Sequence, residues 1–252
     1  MQPRIYALRP LLIAAIVLAG SCDPIPMEPE PCRIVTFLWE GQLYDCVYSP
    51  SGRLTQLVSP ASHVDLLYDE TDKLIQADHY LPGDASPSYQ FYYSHGTSGI
   101  TEIDLYHGGE HSKRTFHYTT SGEVDHIVYE EYYMGSVSLT ITQYLTFVDE
   151  NLMSVSSTSS VINTLYTIDQ YDNDKNPFIV LAAALGNPKF FPLGTFASFP
   201  VGNFDVSFGN HFSKNNPHYG RYEIVGSGLD PEIQEFIYSY SGRYPTDLTW
   251  NN

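Results

Sequence analysis

Basic residues are scarce in this chain: 12 lysines and arginines stand against 29 aspartates and glutamates, a formal charge of −17. A protein that grips nucleic acid uses lysine and arginine to displace counterions from phosphates. Nucleic acid is therefore not an expected partner, and anionic lipid headgroups are poor ligands for the same reason. Cysteine is nearly absent, with only Cys22, Cys32 and Cys46 in 252 residues. Neither Cys32 nor Cys46 has a histidine close in sequence to activate a thiol nucleophile. There is no Gly-x-Ser-x-Gly elbow and no His-Glu-x-x-His pair, so the chain is read as a non-enzyme with no catalytic residues and no cofactor. Long apolar runs are lacking as well. The longest, Leu11 to Leu18, is far shorter than the ~20 residues a helix needs to span a bilayer. Before residue 229 only residues 179–185, IVLAAAL, admit a helix, and periodicity alone does not decide between a short helix and a buried strand there.

What is present begins with an address. Arg4 and Arg9 precede the apolar run and small residues follow it, the three regions of a secretory signal over residues 1–21. The ending Leu18-Ala19-Gly20-Ser21-Cys22 resembles the lipobox of bacterial lipoproteins, although Ala19 occupies the place usually held by leucine. The resemblance implies that Cys22 becomes the first mature residue and carries a lipid, placing the protein in the cell envelope, at the outer membrane of a Gram-negative bacterium. A plain secretory signal cut near Ala19 or Ser21 is the alternative. Removing residues 1–21 leaves 10 basic and 29 acidic residues, a charge of −19. Residues 22–31 read as an extended tether, since DPIPMEPEP alternates proline with acids and apolar residues. With Cys22 acylated, Cys32 and Cys46 are left as a pair in an oxidising compartment, where a disulfide is the default. Closing a loop of that length contributes ~3 kcal/mol in the chain-entropy model. Two free buried thiols are the other reading.

From Val35 onward the pattern is period two, rich in β-branched and aromatic residues: HVDLLY at 63–68, YQFYY at 89–93, ITEIDLY at 100–106, VDHIVY at 124–129. The turns between these runs share a grammar. Tyr48-SPS-Gly52-Arg-Leu54, Tyr68-DET-Asp72-Lys-Leu74, Tyr118-TTS-Gly122-Glu-Val124 and Tyr238-SYS-Gly242-Arg-Tyr244 all place Gly or Asp four residues after a tyrosine. Phe147-VDE-Asn151-Leu-Met153 follows with Asn there. That position calls for a positive φ, which Gly gives freely and Asn or Asp tolerates. Tyr171-DND-Lys175 begins the same way but runs into Asn176-Pro177, so this unit is expected to leave the sheet. The repeat resembles a degenerate form of the YD hairpin units of RHS-type proteins, with Tyr68-Asp69 and Tyr171-Asp172 keeping the dipeptide. The lipobox-like start and, over most of residues 33–252, the serial hairpins, Tyr171-DNDKNPF, Lys214-NNP and Tyr238-SYSGRYPT resemble uncharacterised Bacteroidetes lipoproteins with a porin-like domain. That resemblance implies architecture and compartment and carries no activity.

Candidate sites are few. His107-Gly108-Gly109-Glu110-His111 can place His107 and His111 across a hairpin to hold a metal, but Gly-Gly is equally a plain turn signal and His-x3-His is a helical spacing. Asp172 and Asp174, with Asp169, put oxygen ligands close together and admit Ca²⁺, without the Asp-x-Asp-x-Asp-Gly run and trailing Glu of an EF-hand. The tyrosine pairs Tyr92-Tyr93 and Tyr132-Tyr133 can furnish a glycan-binding face, since the ring is flat and apolar with a polar tip. Tyrosine is also a favoured strand residue. Residues 186–220, rich in Phe, Gly, Pro and Asn, read as a loop region packing phenylalanines over one end of a sheet. The expectation is all-β: one domain over residues 32–252, antiparallel hairpins forming a curled open sheet or a barrel-like roll. Its expected role is non-enzymatic binding or scaffolding in the envelope, of a glycan or an envelope protein, with a hydrolase as the remaining alternative.

Overall fold

The alternating pattern becomes a single antiparallel sheet. The computed structural model describes residues 34–39, 42–193, 212–241 and 244–251; the expected signal and tether, Cys22 and Cys32 lie outside them. The strands are β1 (Thr36–Trp39), β2 (Gln42–Tyr48), β3 (Leu54–Val58), β4 (His63–Tyr68), β5 (Leu74–Tyr80), β6 (Tyr89–His95), β7 (Ile100–His107), β8 (Glu110–Tyr118), β9 (Val124–Tyr133), β10 (Ser136–Val148), β11 (Asn151–Ser159), β12 (Asn163–Lys175), β13 (Asn215–Ile224), β14 (Glu232–Ser241) and β15 (Tyr244–Asn251). Strand order in the sheet equals chain order. Short turns bring only the next strand alongside, so a meander is the natural outcome.

One face of the sheet is buried. Residues from Tyr44 in β2 to Tyr222 in β13 belong to one apolar cluster, together with Leu181, Leu185, Phe190, Phe191 and Phe212 from outside the sheet. Twelve flat strands at about 4.8 Å spacing would span about 53 Å from first to last. A common core therefore requires the sheet to curl around what it buries. Among the described residues β1 and β15 do not pair, so the curled sheet is open.

The buried insert arrives between β12 and β13. Residues 177–184 settle the helix-or-strand ambiguity as a helix, α1 (Pro177–Ala184). Asn176 caps it, its side chain accepting from Phe178 N at 2.9 Å, and proline stands in the first turn where its missing N–H costs nothing. Phe190 then stacks on Phe116 of β8 and on Phe212, at centroid distances of 4.6 and 5.1 Å. Within the described part of residues 186–220, Phe190, Phe191 and Phe212 pack into the core of the sheet. Two expectations are corrected. The Tyr171–Lys175 unit stays in the sheet, with Lys175 opposite Asn215, and the chain departs only at Asn176. Lys214-NNP does not belong to a loop: Asn215 opens β13.

Three of the repeated turns are closed by a left-handed residue at the expected position, whereas the Phe147 unit departs from the pattern: its left-handed residues are Asp149 and Glu150, at φ of 51° and 66°, and Asn151 pairs with Val148 as the first residue of β11. Gly52 N donates to Ser49 O and Ser49 N to Arg53 O, at 2.8 and 2.7 Å; Asp72 and Gly122 repeat both bonds in their hairpins. Gly52, Asp72 and Gly122 have φ of 86°, 66° and 85°, the bulge position that glycine and aspartate were expected to fill.

The aromatic that opens each turn has a second task that spacing alone does not reveal. Tyr48 Oη donates to Ile34 O at 2.8 Å, Tyr68 to Leu54 O at 2.7 Å, Tyr118 to Ile100 O at 2.5 Å, and Tyr171 to Leu152 O. Each acceptor lies in the preceding hairpin unit. From Tyr68 onward it is the first residue of the returning strand, or the next one in β11. His95 takes the same role toward Leu74 O through Nε2 at 2.7 Å. Successive hairpins are thereby bolted to one another. Phe147 opens its turn without a hydroxyl, and a cavity of about 370 Å³ opens there, lined by Gly122, Val124, Phe147, Ile179, Lys189 and Phe212.

Candidate functional site

Alternation along the strands sends every second side chain of β3–β10 to the outer face, and register aligns them across strands. One line runs Gln56, Asp65, Asp78, Gln90, Tyr106, His111, Tyr132. A neighbouring line runs Gln76, Tyr92, Asp104, Lys113, Glu130. Asp65 and Asp78 stand directly opposite, an arrangement that like charges disfavour. Amide donors offset it: Gln56 Nε2 reaches Asp65 Oδ1 at 2.6 Å, while Gln76 and Gln90 reach Asp78 at 2.9 and 3.2 Å. Lys113 bonds Glu102 at 3.0 Å, and that contact holds its ammonium above the usual lysine range.

The aromatic members of this face stack on one another. Tyr106 and His111 lie 4.5 Å apart at 7°, and His111 and Tyr132 lie 4.5 Å apart at 24°. Asp104 Oδ1 receives His111 Nε2 at 2.8 Å and orients the imidazole. Tyr92 meets Tyr106 edge to face at 5.8 Å and 78°. One strand further along, His117 and His126 stack at 4.2 Å, with His126 Nδ1 on Asp125 at 2.7 Å. Partial burial, with the adjacent His126, pulls the His117 imidazole below its ordinary range.

The predicted site residues distribute unevenly over this geometry. Tyr92 and Tyr132 are on the outer face; Tyr133 is exposed at the end of β9. Tyr93 is corrected: alternation turns it into the core, where it is 6% exposed and burial drives its hydroxyl far above the ordinary range. His107 and His111 are not brought together. His111 faces outward against Asp104, whereas His107 sits on the buried-side register, stacked on Tyr89 at 4.0 Å and bonded to Ser88 O at 2.9 Å. Four residues with a two-residue turn between them invert the face, which is why a helical spacing fails here. Asp172 serves the fold, accepting from Asn216 N and Nδ2 at 3.1 and 3.0 Å and from Asp174 N at 3.0 Å. Asp169 pairs with Arg221 at 2.7 Å. Among the described residues no three His, Cys, Asp or Glu side chains converge as metal ligands. Cys46 is buried on the inner face of β2, and burial pushes its thiol up to about 12. Cys22 and the other half of the expected bridge, Cys32, fall outside the described residues.

Sequence reasoning missed Gln56, Asp65, Gln76, Asp78, Gln90, Asp104 and Tyr106 as a group. The signal was their period-two placement, but only register reveals that alternate residues of five strands form one face.

Fold and face together define an all-β protein of serial hairpins whose outer sheet face carries register-aligned amides, carboxylates and rings. No protein-family model matches the chain, and no curated protein matches it. Solved structures do: the chain is similar to a porin-like protein from Bacteroides vulgatus ATCC 8482, with a TM-score of 0.52 and 11% identity over 86% of this chain and 90% of that one. It is also similar to a porin-like protein from Bacteroides uniformis ATCC 8492, with a TM-score of 0.48 and 12% identity over 80% and 79%. The likeness is one of fold, and it gives this chain a porin-like, all-β architecture.

Proposed function

We propose that the chain is a non-enzymatic envelope lipoprotein, exported, held by an acyl group on Cys22 at the outer membrane of a Gram-negative bacterium, and using its outer sheet face to bind or scaffold an extracytoplasmic ligand. The observation that carries this reading is the register-aligned array of amides, carboxylates and ring edges from Gln56 to Tyr132. A lipid-facing barrel wall needs an apolar band, and charges such as Asp65, Asp78, Asp104 and Lys113 are costly there. The same face in water offers closely spaced donors and acceptors. The lipobox-like LAGSC supplies the address.

Glycan capture is the narrower reading, favoured by the exposure of Tyr92 and Tyr106 beside Gln76, Gln90 and Asp104. It does not use a flat platform of coplanar rings. The rings of Tyr106, His111 and Tyr132 spend their faces on each other, leaving edges and hydroxyls for a polar ligand.

Cell fractionation of wild type and Cys22→Ala, with mass analysis of the mature N-terminus, tests the anchor. Wild type is expected to stay in the membrane fraction through washing, with an acylated Cys22 and an intact Cys32–Cys46 bridge, and Cys22→Ala to be exported without the acyl group and released from the membrane fraction by dilution and washing. An unmodified Cys22 in freely secreted protein ends the lipoprotein reading. A glycan array probed with wild type and Tyr92→Ala/Tyr106→Ala tests the ligand class: signal lost in the double variant supports the face, and signal retained removes it.

A further inference from the structure

The two ends of the sheet differ in chemistry. In a meander, the turns after β2, β4, β6, β8 and β10 gather at one end, and those after β3, β5, β7, β9, β11 and β13 gather at the other. The first end carries the tyrosine-opened repeats, and its turns hold Arg53, Asp69, Glu70, Asp72, Lys73, Glu123, Asp149 and Glu150. No large apolar side chain is exposed in those turns; Val148, at the end of β10, is the nearest.

The opposite rim reverses this. Leu81 follows β5, Met134 follows β9, Val161 follows β11, and Val225 and Leu229 follow β13, all of them exposed. Among the described residues of these turns, Asp84 and Asp230 are the only charged ones, and there is no lysine or arginine. Met134 is 87% exposed and its neighbour Tyr133 67%. Met134 also has a φ of 51° and Gly135 a φ of 77°, a two-residue turn with both central residues left-handed. Such a turn selects Asn-Gly or Gly-Gly. A long apolar side chain there is both strained and solvated, and neither fold stability nor solubility accounts for its placement.

We propose that this rim is an interfacial edge that dips its turn tips into a lipid surface. Several observations select lipid over a protein partner. The apolar groups are single side chains on separate hairpins, strung over eight strand spacings, or roughly 40 Å. A protein interface needs a contiguous, complementary patch, whereas a fluid bilayer surface closes around isolated tips. Among the described residues of these turns only Asp84 and Asp230 carry a charge that insertion would have to strip of water, and the turns of Met134 and Val161 carry none. Tyr133, with an apolar ring and polar end, matches the side chains that settle at headgroup depth. With no basic residue at the tips and a strongly acidic chain behind them, the attraction is apolar and does not need anionic lipid.

This goes beyond anchoring by Cys22 and is tested without it. Full-length Cys22→Ala chain is mixed with phosphatidylcholine vesicles and floated on a density gradient. It is expected to float, and no better when phosphatidylglycerol replaces part of the lipid. Adding Met134→Asn, Val161→Ser and Leu229→Ser should lower partitioning by about tenfold for each large side chain removed, and by a hundredfold or more together. Asparagine tolerates the left-handed turn, so the thermal midpoint of the Met134→Asn chain should hold or rise, separating surface from fold. Failure of the Cys22→Ala chain to float overturns the proposal, as does undiminished flotation of the triple variant. Dimerisation without vesicles that the triple variant abolishes, in a chain that ignores lipid, assigns the tips to a second copy and also overturns it.

Discussion

Gly220→Ala is expected to cost the domain about 3 kcal/mol, at the upper end of what overpacking a core usually costs. Gly220 lies in β13 opposite Ile168, and Tyr166, two residues along β12, crosses diagonally over it on the buried face. An added Cβ would sit 2.5 Å from Tyr166 Oη and 2.8 and 2.9 Å from two ring carbons. Tyr166 is fully buried, so its ring has no open space to swing into. The strands must part, or the ring must leave its rotamer. The glycine therefore belongs to the aromatic: the ring fills the space that a missing side chain leaves, a known device for glycine in sheets. Chemical denaturation should show a lower midpoint at unchanged slope. The Gly220→Ala/Tyr166→Leu pair should couple by 1 kcal/mol or more, because the leucine removes the atoms the methyl meets. A loss below about 0.5 kcal/mol for Gly220→Ala would show that the strand pair is loose there.

Much of this architecture is legible in the residues because two of its signals are local. Alternation of apolar and polar residues needs only a short window, and a positive-φ requirement needs only one residue. Hence the hairpins at Gly52, Asp72 and Gly122 emerge from sequence with correct turn positions. The hydroxyl bolts did not, since Tyr68 and Leu54, or Tyr118 and Ile100, are 14 and 18 residues apart. His95 escaped the repeat grammar altogether. Its turn is tighter, with Gly96 N bonded to Gly99 O at 2.9 Å and His95 opposite Ile100, yet its ring does the work of a tyrosine. The outer face was harder still. Tyr92 and Tyr93 look equivalent in sequence, and a single step along the strand separates surface from core. Clustered tyrosines thus signal a strand and do not by themselves signal a binding surface. The His107 and His111 pair taught the same lesson: proximity along a hairpin is not proximity across it unless the turn length preserves the face.

Alkaline titration is expected to unfold the domain cooperatively, beginning just above pH 10. Burial raises the hydroxyls of Tyr68, Tyr93, Tyr118 and Tyr171 well above the ordinary tyrosine value near 10. In the unfolded chain these groups lose their protons from about pH 10 upward, while in the native state they keep them. The native state then binds more protons than the unfolded one, so stability is complete below pH 10 and falls as pH rises through the window above it. Each such tyrosine removes up to about 1.4 kcal/mol per pH unit, and four together up to about 5 or 6. Against an ordinary domain stability of about 5–15 kcal/mol, the transition should finish within roughly one to three units. The chemistry explains why the loss is cooperative. Tyr68, Tyr118 and Tyr171 donate to backbone carbonyls of the preceding hairpin, and a phenolate cannot donate, so ionising one bolt releases the contact between two units. Far-ultraviolet circular dichroism and tyrosinate absorbance should change together, with surface tyrosines titrating first. Tyr68→Phe should lower starting stability by about 1 kcal/mol through the lost hydrogen bond and make the pH dependence shallower by one proton. Full tyrosinate absorbance with an intact sheet signal near pH 10 would mean that these hydroxyls already reach water and that the hairpins are held together by packing alone.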